Sequence, residues 1–402
     1  MTVKQGHSAF MDFICDELRL LEETGLYRTP VVIEGVQGPH VTVGGNRYLS
    51  FCSNNYLGLA DHPRIKEAAM EAISSYGWGA RASRLMSGTS ILHERLETEI
   101  ARFKCTEAAL VFPTGYMANL GAICSLAGRG DLIICDRFNH ASIIDASRQS
   151  GADLRVYAHN DVEALERILT RASHNYEKIL IVTDGVFSVD GDIAPIPEIV
   201  SVAGRFAHQV MTMVDDAHGT GVFGRRGGGL LEHFGRKGGV DIQMGTLSKA
   251  LGGTGGFVAG SRELIEFLKN KSRSFIFTTA IPPAACAAGL EALRLIGGDE
   301  GIERRERLWE GCRHLEKGLN AIGFRTTVQS PIVPVILGEP QRALDAAKIL
   351  FEKNLLVPAV RPPTVPRGTS RLRISLTSDH AVEHLDLLLD GLALVKRLGT
   401  ED

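Results

Sequence analysis

From Leu132 to Gly245 the chain alternates between short, mostly apolar runs and longer stretches in which apolar residues recur every three or four positions. The runs Leu132 to Cys135, Leu154 to Tyr157, Ile179 to Thr183, Met211 to Val214 and Val240 to Gly245 predict strands. Continuous rather than alternating apolarity predicts strands covered on both faces. His140 to Gln149, Val162 to Ala172 and Ile196 to Ala207 have helical spacing. This succession predicts an α/β fold with a doubly wound, mostly parallel central sheet.

The flanks carry weaker patterns. Phe10 to Leu21 predicts an amphipathic arm lying on the body or on a partner, and Val31 to Ile33, Val41 to Val43 and Tyr48 to Phe51 predict short strands. Helices are expected from His62-Pro63 to about Tyr76 and over Ile91 to Phe103, the second with Glu94 and Glu97 exposed. The strand AALVF leads through Pro113-Thr114-Gly115-Tyr116 into the helix MANLGAICSLA. Phe275 to Pro283 is expected to be an apolar strand closing on Thr278, Thr279 and a proline stop. Beyond it, helices over Ala284 to Ile296 and Arg304 to Ile322 precede a small α+β lobe. That lobe has strands at Ile332 to Leu337, Leu355 to Ala359 and Leu372 to Leu376, and helices at Ala343 to Glu352 and Val382 to Leu398. The expected division is an N-terminal helix and short strands (1–50), a large α/β domain (51–285) and a small C-terminal α+β domain (286–402).

Chemistry gathers beyond the carboxyl ends of the strands of such sheets. That rule singles out Asp136 and His140, Asp184 and Ser188, Asp215 and His218, and Thr246 and Lys249. An acidic pair after a strand is commonly a cap, and a lone lysine commonly a solvated charge. Lys249 nevertheless lies between Gly245 and the run Gly252-Gly253-Thr254-Gly255-Gly256, where backbone and ligand approach closely and a long cation has no packing purpose. Acid and imidazole at one strand end with an amine at another suit an aldehyde cofactor bound covalently to a lysine, namely pyridoxal 5'-phosphate. Gly115 and Tyr116 open a helix whose free amides favour a phosphate. Asn54 is either a turn residue or a contact facing the cofactor. Arg81 or Arg84 either meets an anion or is solvated, and Arg361 in RPPTVP is either a surface arginine or a fork aimed at a carboxylate.

Composition narrows the partners. The 402 residues are 44% hydrophobic with a net charge of −3, so no basic stripe for nucleic acid and no polybasic membrane arm is expected. Seven scattered cysteines without a Cys-x-x-Cys pair predict neither a disulfide framework nor a metal site. With no signal-peptide pattern in MTVKQGHSAFMDFICDELRLLEE, a reducing cytoplasm is the default expectation. A nucleotide-binding protein reading Gly252 to Gly256 as a phosphate loop is disfavoured, because the run lacks the G-x-x-x-x-G-K-[ST] spacing.

An ordered set of motifs runs from about Leu26 to the last helix: SNNYLGLA at 53–60, ASRLMSGT at 82–89, GYMAN at 115–119, HASIID at 140–145, DGVFSVDGD at 184–192, VDDAHGTGVFG at 214–224, GTLSKALGG at 245–253 and FIFTTAIPP at 275–283. On these the chain resembles the α-oxoamine synthases among the fold-type I pyridoxal-phosphate enzymes, which condense an amino acid with an acyl thioester and lose CO2. The segment RPPTVPRGTSRLRISL at 361–376 is most similar to the biotin-pathway members that take L-alanine and pimeloyl-CoA or a pimeloyl carrier protein. Relatives using glycine and acetyl-CoA, or long-chain acyl-CoA, are the alternative. The resemblance implies Lys249 as the Schiff-base lysine, Asp215 (not Asp216) as partner of the ring nitrogen, and His140 stacked on the ring. It also implies His218 and Ser188 on the phenolic oxygen, Asp184 among the cofactor-binding residues, and Gly115, Tyr116 and Thr246 around the phosphate. It implies a homodimer in which Thr278 and Thr279 reach the other subunit's cofactor. Arg361 is implied to hold a substrate carboxylate, Thr364 and Asn54 to line the pocket, and Arg28 to contact the acyl substrate.

Overall fold

The computed structural model describes residues 9–236 and 238–398. Helix α1 (Ala9–Glu23) leads, without a buried residue. Strands β1 (His40–Val43) and β2 (Asn46–Ser50) then form an antiparallel hairpin with Val43 opposite Asn46. Its two-residue turn is Gly44-Gly45, both at positive φ, the conformation that matches strand twist and that glycine adopts without strain. Val31 to Ile33 is not a strand. The segment is exposed irregular chain with one bridge, Glu34 to Thr42, because three apolar residues without a paired neighbour cannot hold a ladder.

Helices α2 (Pro63–Tyr76) and α3 (Ile91–Lys104) follow. The central sheet is built from β3 (Ala108–Phe112), β4 (Leu132–Asp136), β5 (Asp153–Tyr157), β6 (Ile179–Asp184), β7 (Val210–Asp215), β8 (Ile242–Thr246) and β9 (Gly256–Gly260), in the order β3-β9-β8-β7-β6-β4-β5. Pairing is parallel from β8 through β5; β9 runs antiparallel to both neighbours. In β4, β6 and β8 every residue is buried, whereas the edge strand β5 is half exposed. Strand β9 was hidden in the sequence because GFVAG reads as the tail of a glycine run. Its glycines are needed: a Cβ on Gly256 would sit 2.5 Å from the Thr114 carbonyl oxygen.

Two further expectations fail here for physical reasons. Phe275 to Pro283 is not a strand but a helical turn, Arg273–Ile276, followed by irregular chain with one bridge from Thr279 to Ser83. Its aromatics are spent separately: Phe275 packs against Phe112, while Phe277 is exposed. Glu97 is buried, not exposed. It takes both forks of Arg84, at 2.8 and 3.0 Å, and the Val111 amide at 2.9 Å. Arg84 is therefore neither solvated nor a ligand contact, since a buried carboxylate requires such a partner.

The last third contributes β10 (Ile332–Gly338), β11 (Leu355–Leu356), β12 (Ala359–Val360) and β13 (Ser370–Ser375). The stretch expected as one strand over 355–359 is split between two sheets. Leu355–Leu356 pairs parallel with β2, and Ala359–Val360 joins β13, which also pairs β10. Among the described residues no helix is long and apolar enough to cross a membrane, and no cluster of His, Cys, Asp or Glu is placed to hold a metal ion.

Candidate active site

The carboxyl ends of β4, β6, β7 and β8 open on a cavity of ≈180 Å³, lined in part by His140, Asp184, Ser188, Asp215, His218, Thr246 and Lys249. Seven residues singled out at four strand ends thus meet in one place. Asp136 does not join them: fully buried, it accepts from the Phe138 amide and from His159 Nδ1 at 2.9 Å.

Asp215 and Asp184 are register partners on parallel strands, which brings two carboxylates together in a dry place. Burial, then the nearby Asp215, push the Asp184 carboxyl well above the usual range; Asp184 Oδ2 also accepts the His140 amide at 2.6 Å. Asp215 is held by Asn119 Nδ2 at 2.8 Å and by the Ala217 amide at 3.0 Å. Asp216, the first residue past β7, does not line the cavity. It accepts Lys104 Nζ at 2.7 Å in a fully buried pair.

Lys249 lies in the 247–255 connection between β8 and β9. Its Nζ is 2.7 Å from His218 Nε2, whose Nδ1 is 2.6 Å from the Tyr56 hydroxyl. Burial pulls the Lys249 amine down to about 8 from its ordinary 10.5, with Asp215 and Asp184 opposing and the Arg373 charge assisting. Burial, followed by the charges of Lys249 and Arg373, holds His218 well below its ordinary value, so its imidazole is neutral. An amine and an imidazole that are both readily uncharged are the forms needed for bonding an aldehyde and for moving a proton.

Opposite, α4 (Gly115–Leu126) begins at the cavity with Gly115 and Tyr116. Thr114 caps it through the Met117 amide at 3.1 Å, leaving the first-turn amides of Gly115 and Tyr116 as anion donors. The Tyr116 hydroxyl donates to Asp145 Oδ2 at 2.5 Å on α5 (Ala141–Ser150). Thr246 Oγ1 bonds Ser248 Oγ at 2.7 Å and the Gly255 carbonyl at 2.8 Å. His140 caps α5, with Nδ1 2.8 Å from Ser142 Oγ. A helix start with free amides, a buried carboxylate held by two hydrogen bonds, an imidazole and an amine lowered to about 8 together fit pyridoxal phosphate.

Three expected residues form a separate group and do not line this cavity. Arg28 Nη2 donates to Thr364 Oγ1 at 3.5 Å, and Arg361 donates to the Gly25 carbonyl. Asn54 is closer in, its Oδ1 accepting from Arg373 Nη2 at 3.2 Å and lying 3.2 Å from the Tyr56 hydroxyl. Thr278 and Thr279 do not line this cavity. Sequence reasoning missed Tyr56, Asn119 and Arg373. Arg373 was not legible locally, because it alternates with Leu372, Ile374 and Leu376 and so has the pattern of a polar face turned away from the core. It is fixed by Nε to the Ser188 carbonyl and Nη1 to Ser375 Oγ, both at 2.6 Å.

A family model described as aminotransferase class I and II matches residues 46–392. The chain belongs to that family. Within it, the chain is 46% identical over 386 residues to the 8-amino-7-oxononanoate synthase of Thermoanaerobacter pseudethanolicus, covering 96% of this chain and 97% of the relative. It is 48% identical over 389 residues to that of Geobacter sulfurreducens, covering 96% and 98%. Among solved structures, a serine palmitoyltransferase from S. paucimobilis with PLP and myriocin bound aligns with a TM-score of 0.91 at 35% identity, over 98% of this chain and 99% of that one. The 8-amino-7-oxononanoate synthase of Francisella tularensis aligns with a TM-score of 0.75 at 28% identity, over 87% and 98%. The family's fold, type I among pyridoxal-phosphate enzymes, accounts for the mixed seven-stranded sheet with the smaller C-terminal sheet beside it.

Proposed function

We infer that this family member is an acyltransferase with 8-amino-7-oxononanoate synthase activity, acting in biotin biosynthesis. It joins L-alanine to a pimeloyl thioester and releases CO2 and the thiol. Pyridoxal phosphate is its cofactor. The observation that carries the reading is the amine of Lys249 in one small cavity with the anchored carboxylate of Asp215. Near full-length identity of 46–48% to synthases of that name supports the member.

When bound, pyridoxal phosphate supplies an aldehyde for the amino group and a ring that takes up electron density released at the α-carbon. Asp215 holds a proton at the ring nitrogen, with Asn119 and the Ala217 amide keeping its carboxylate aimed. Lys249 Nζ, uncharged above about pH 8, removes the α-proton of alanine. His218 Nε2 and Ser188 take the phenolic oxygen, and His140 covers the ring face. The Gly115 and Tyr116 amides and Thr246 hold the phosphate. Arg373, bonded to Asn54 and to the Ser188 carbonyl, supplies a positive charge that acts on both Lys249 and His218. Arg361 holds a substrate carboxylate, Thr364 and Asn54 line the substrate pocket, and Arg28 meets the acyl substrate. A second copy of the chain completes each site through Thr278 and Thr279.

Release of coenzyme A with several amino acids and acyl lengths tests the reading. Alanine with pimeloyl-CoA is expected to give the largest kcat/KM. A preference for serine with palmitoyl-CoA, or glycine with acetyl-CoA, would assign the chain to another condensing activity.

A further inference from the structure

We propose that, once the cofactor occupies the cavity and Lys249 carries no ammonium, Tyr56 is a positioning residue whose buried hydroxyl keeps the single ring proton of His218 on Nε2, the nitrogen that faces Lys249. Tyr56 is fully buried, and its hydroxyl lies between two acceptors: His218 Nδ1 at 2.6 Å and Asn54 Oδ1 at 3.2 Å. It has one proton to give. Asn54 Oδ1 already receives Arg373 Nη2 at 3.2 Å, so the shorter contact to the imidazole takes the phenol's hydrogen. A neutral imidazole that accepts at Nδ1 must carry its proton at Nε2.

The opposite arrangement has a cost that can be traced atom by atom. An N–H of Lys249 would donate to Nε2, Nδ1–H would donate to the phenol, and the phenol's proton would have to go to Asn54 Oδ1. That moves the hydrogen from a short contact to a longer one on an oxygen already in use. Burial raises the Tyr56 hydroxyl to about 12, so it remains a donor across the working range of pH. Tyr56→Phe keeps the ring and nearly all of the volume but leaves Nδ1 without its donor. Both tautomers would then be populated, and in one of them Nε2 presents a lone pair where the cofactor's phenolic oxygen needs a hydrogen.

The inference rests on the reading of Lys249 and His218 as the pair that meets the cofactor, and the test separates the two. Histidine-labelled ¹⁵N NMR of the wild-type holoenzyme reports the tautomer of His218 without reference to turnover. Nδ1 is expected as the unprotonated and Nε2 as the protonated nitrogen, and the reverse pattern overturns the proposal whether or not any variant folds. In Tyr56→Phe the two nitrogens are expected to average. Its kcat should fall about tenfold or more, while KM for alanine moves by less than about threefold. A Tyr56→Phe holoenzyme with a full cofactor load, wild-type kcat and an unchanged His218 spectrum also overturns it. A wild-type protein with the expected tautomer but no condensing activity would remove the functional reading and leave the tautomer assignment standing.

Discussion

At the residue scale the site is a set of side chains whose charges are managed by burial. Lys249→Ala is expected to abolish turnover and the visible absorbance of the bound cofactor; turnover retained with alanine and pimeloyl-CoA would refute the lysine's role. Asp215→Asn is expected to slow the reaction by about two orders of magnitude or more with the fold unchanged by circular dichroism. A pH dependence follows with a definite sign. The amine acts uncharged once alanine has displaced it, and its value in the folded protein is about 8 rather than 10.5, so kcat should rise with pH through about 8 and then level. A rise centred near 10 would show that burial does not act on the amine as described.

At the scale of elements, two buried clusters hold the scaffold in register around the cavity. Arg84 joins the turn after residue 83 to α3 and, through Glu97, to the Val111 amide in β3. Arg84→Leu is expected to cost about 3 kcal/mol or more, because it leaves a buried carboxylate unpaired. Pairing it with Glu97→Leu should restore part of the lost Tm, and a single variant as stable as wild type would sink the claim. His159 clamps the ends of β4 and the 185–195 loop, with Nδ1 2.9 Å from Asp136 and Nε2 2.6 Å from Asp192. Burial works against its charge, but the two carboxylates prevail and raise it from 6.5 to about 9. The folded state thus holds a proton that the unfolded chain releases, so this stabilisation is complete below about 6.5 and is lost as pH rises through about 9. Denaturant titrations of wild type and His159→Ala should converge at the alkaline end.

These clusters also mark where reading the sequence succeeds and stops. Strands β4, β6, β7 and β8 were legible because burial on both faces writes an apolar run into the chain, and the residue after three of those runs, Asp184, Asp215 and Thr246, then names the site. Glu97 and Arg84 were not legible, since a charge buried by a partner 13 positions away has the same local signature as a solvated one. Tyr56 was read only as a loop residue, for its role depends on an imidazole 162 positions distant. Strand β9 and the split at 355–360 depended on which neighbour was free to pair, which no local period records.

At the scale of the molecule, the single chain leaves apolar surface uncovered. Phe10, Phe13, Leu18 and Leu20 on α1, and Trp78, Met86 and Phe277 elsewhere, are all exposed, the condition expected of a face that meets another copy. If Thr278 and Thr279 serve the neighbouring copy's cofactor, chains carrying Lys249→Ala and chains carrying Thr278→Ala with Thr279→Ala should rescue one another. In a mixed dimer one site is doubly impaired and the other intact, so refolding equal amounts together should restore about a quarter of the sites. No rescue would place each site within one chain. The central sheet, finally, bears on every turnover. The loop that carries Lys249 is closed at its base by the pairing of Thr246 with Gly256, both in fully buried strands. A loop so firmly tethered at its base would return the Lys249 amine to the same place in the cavity in every cycle of the reaction.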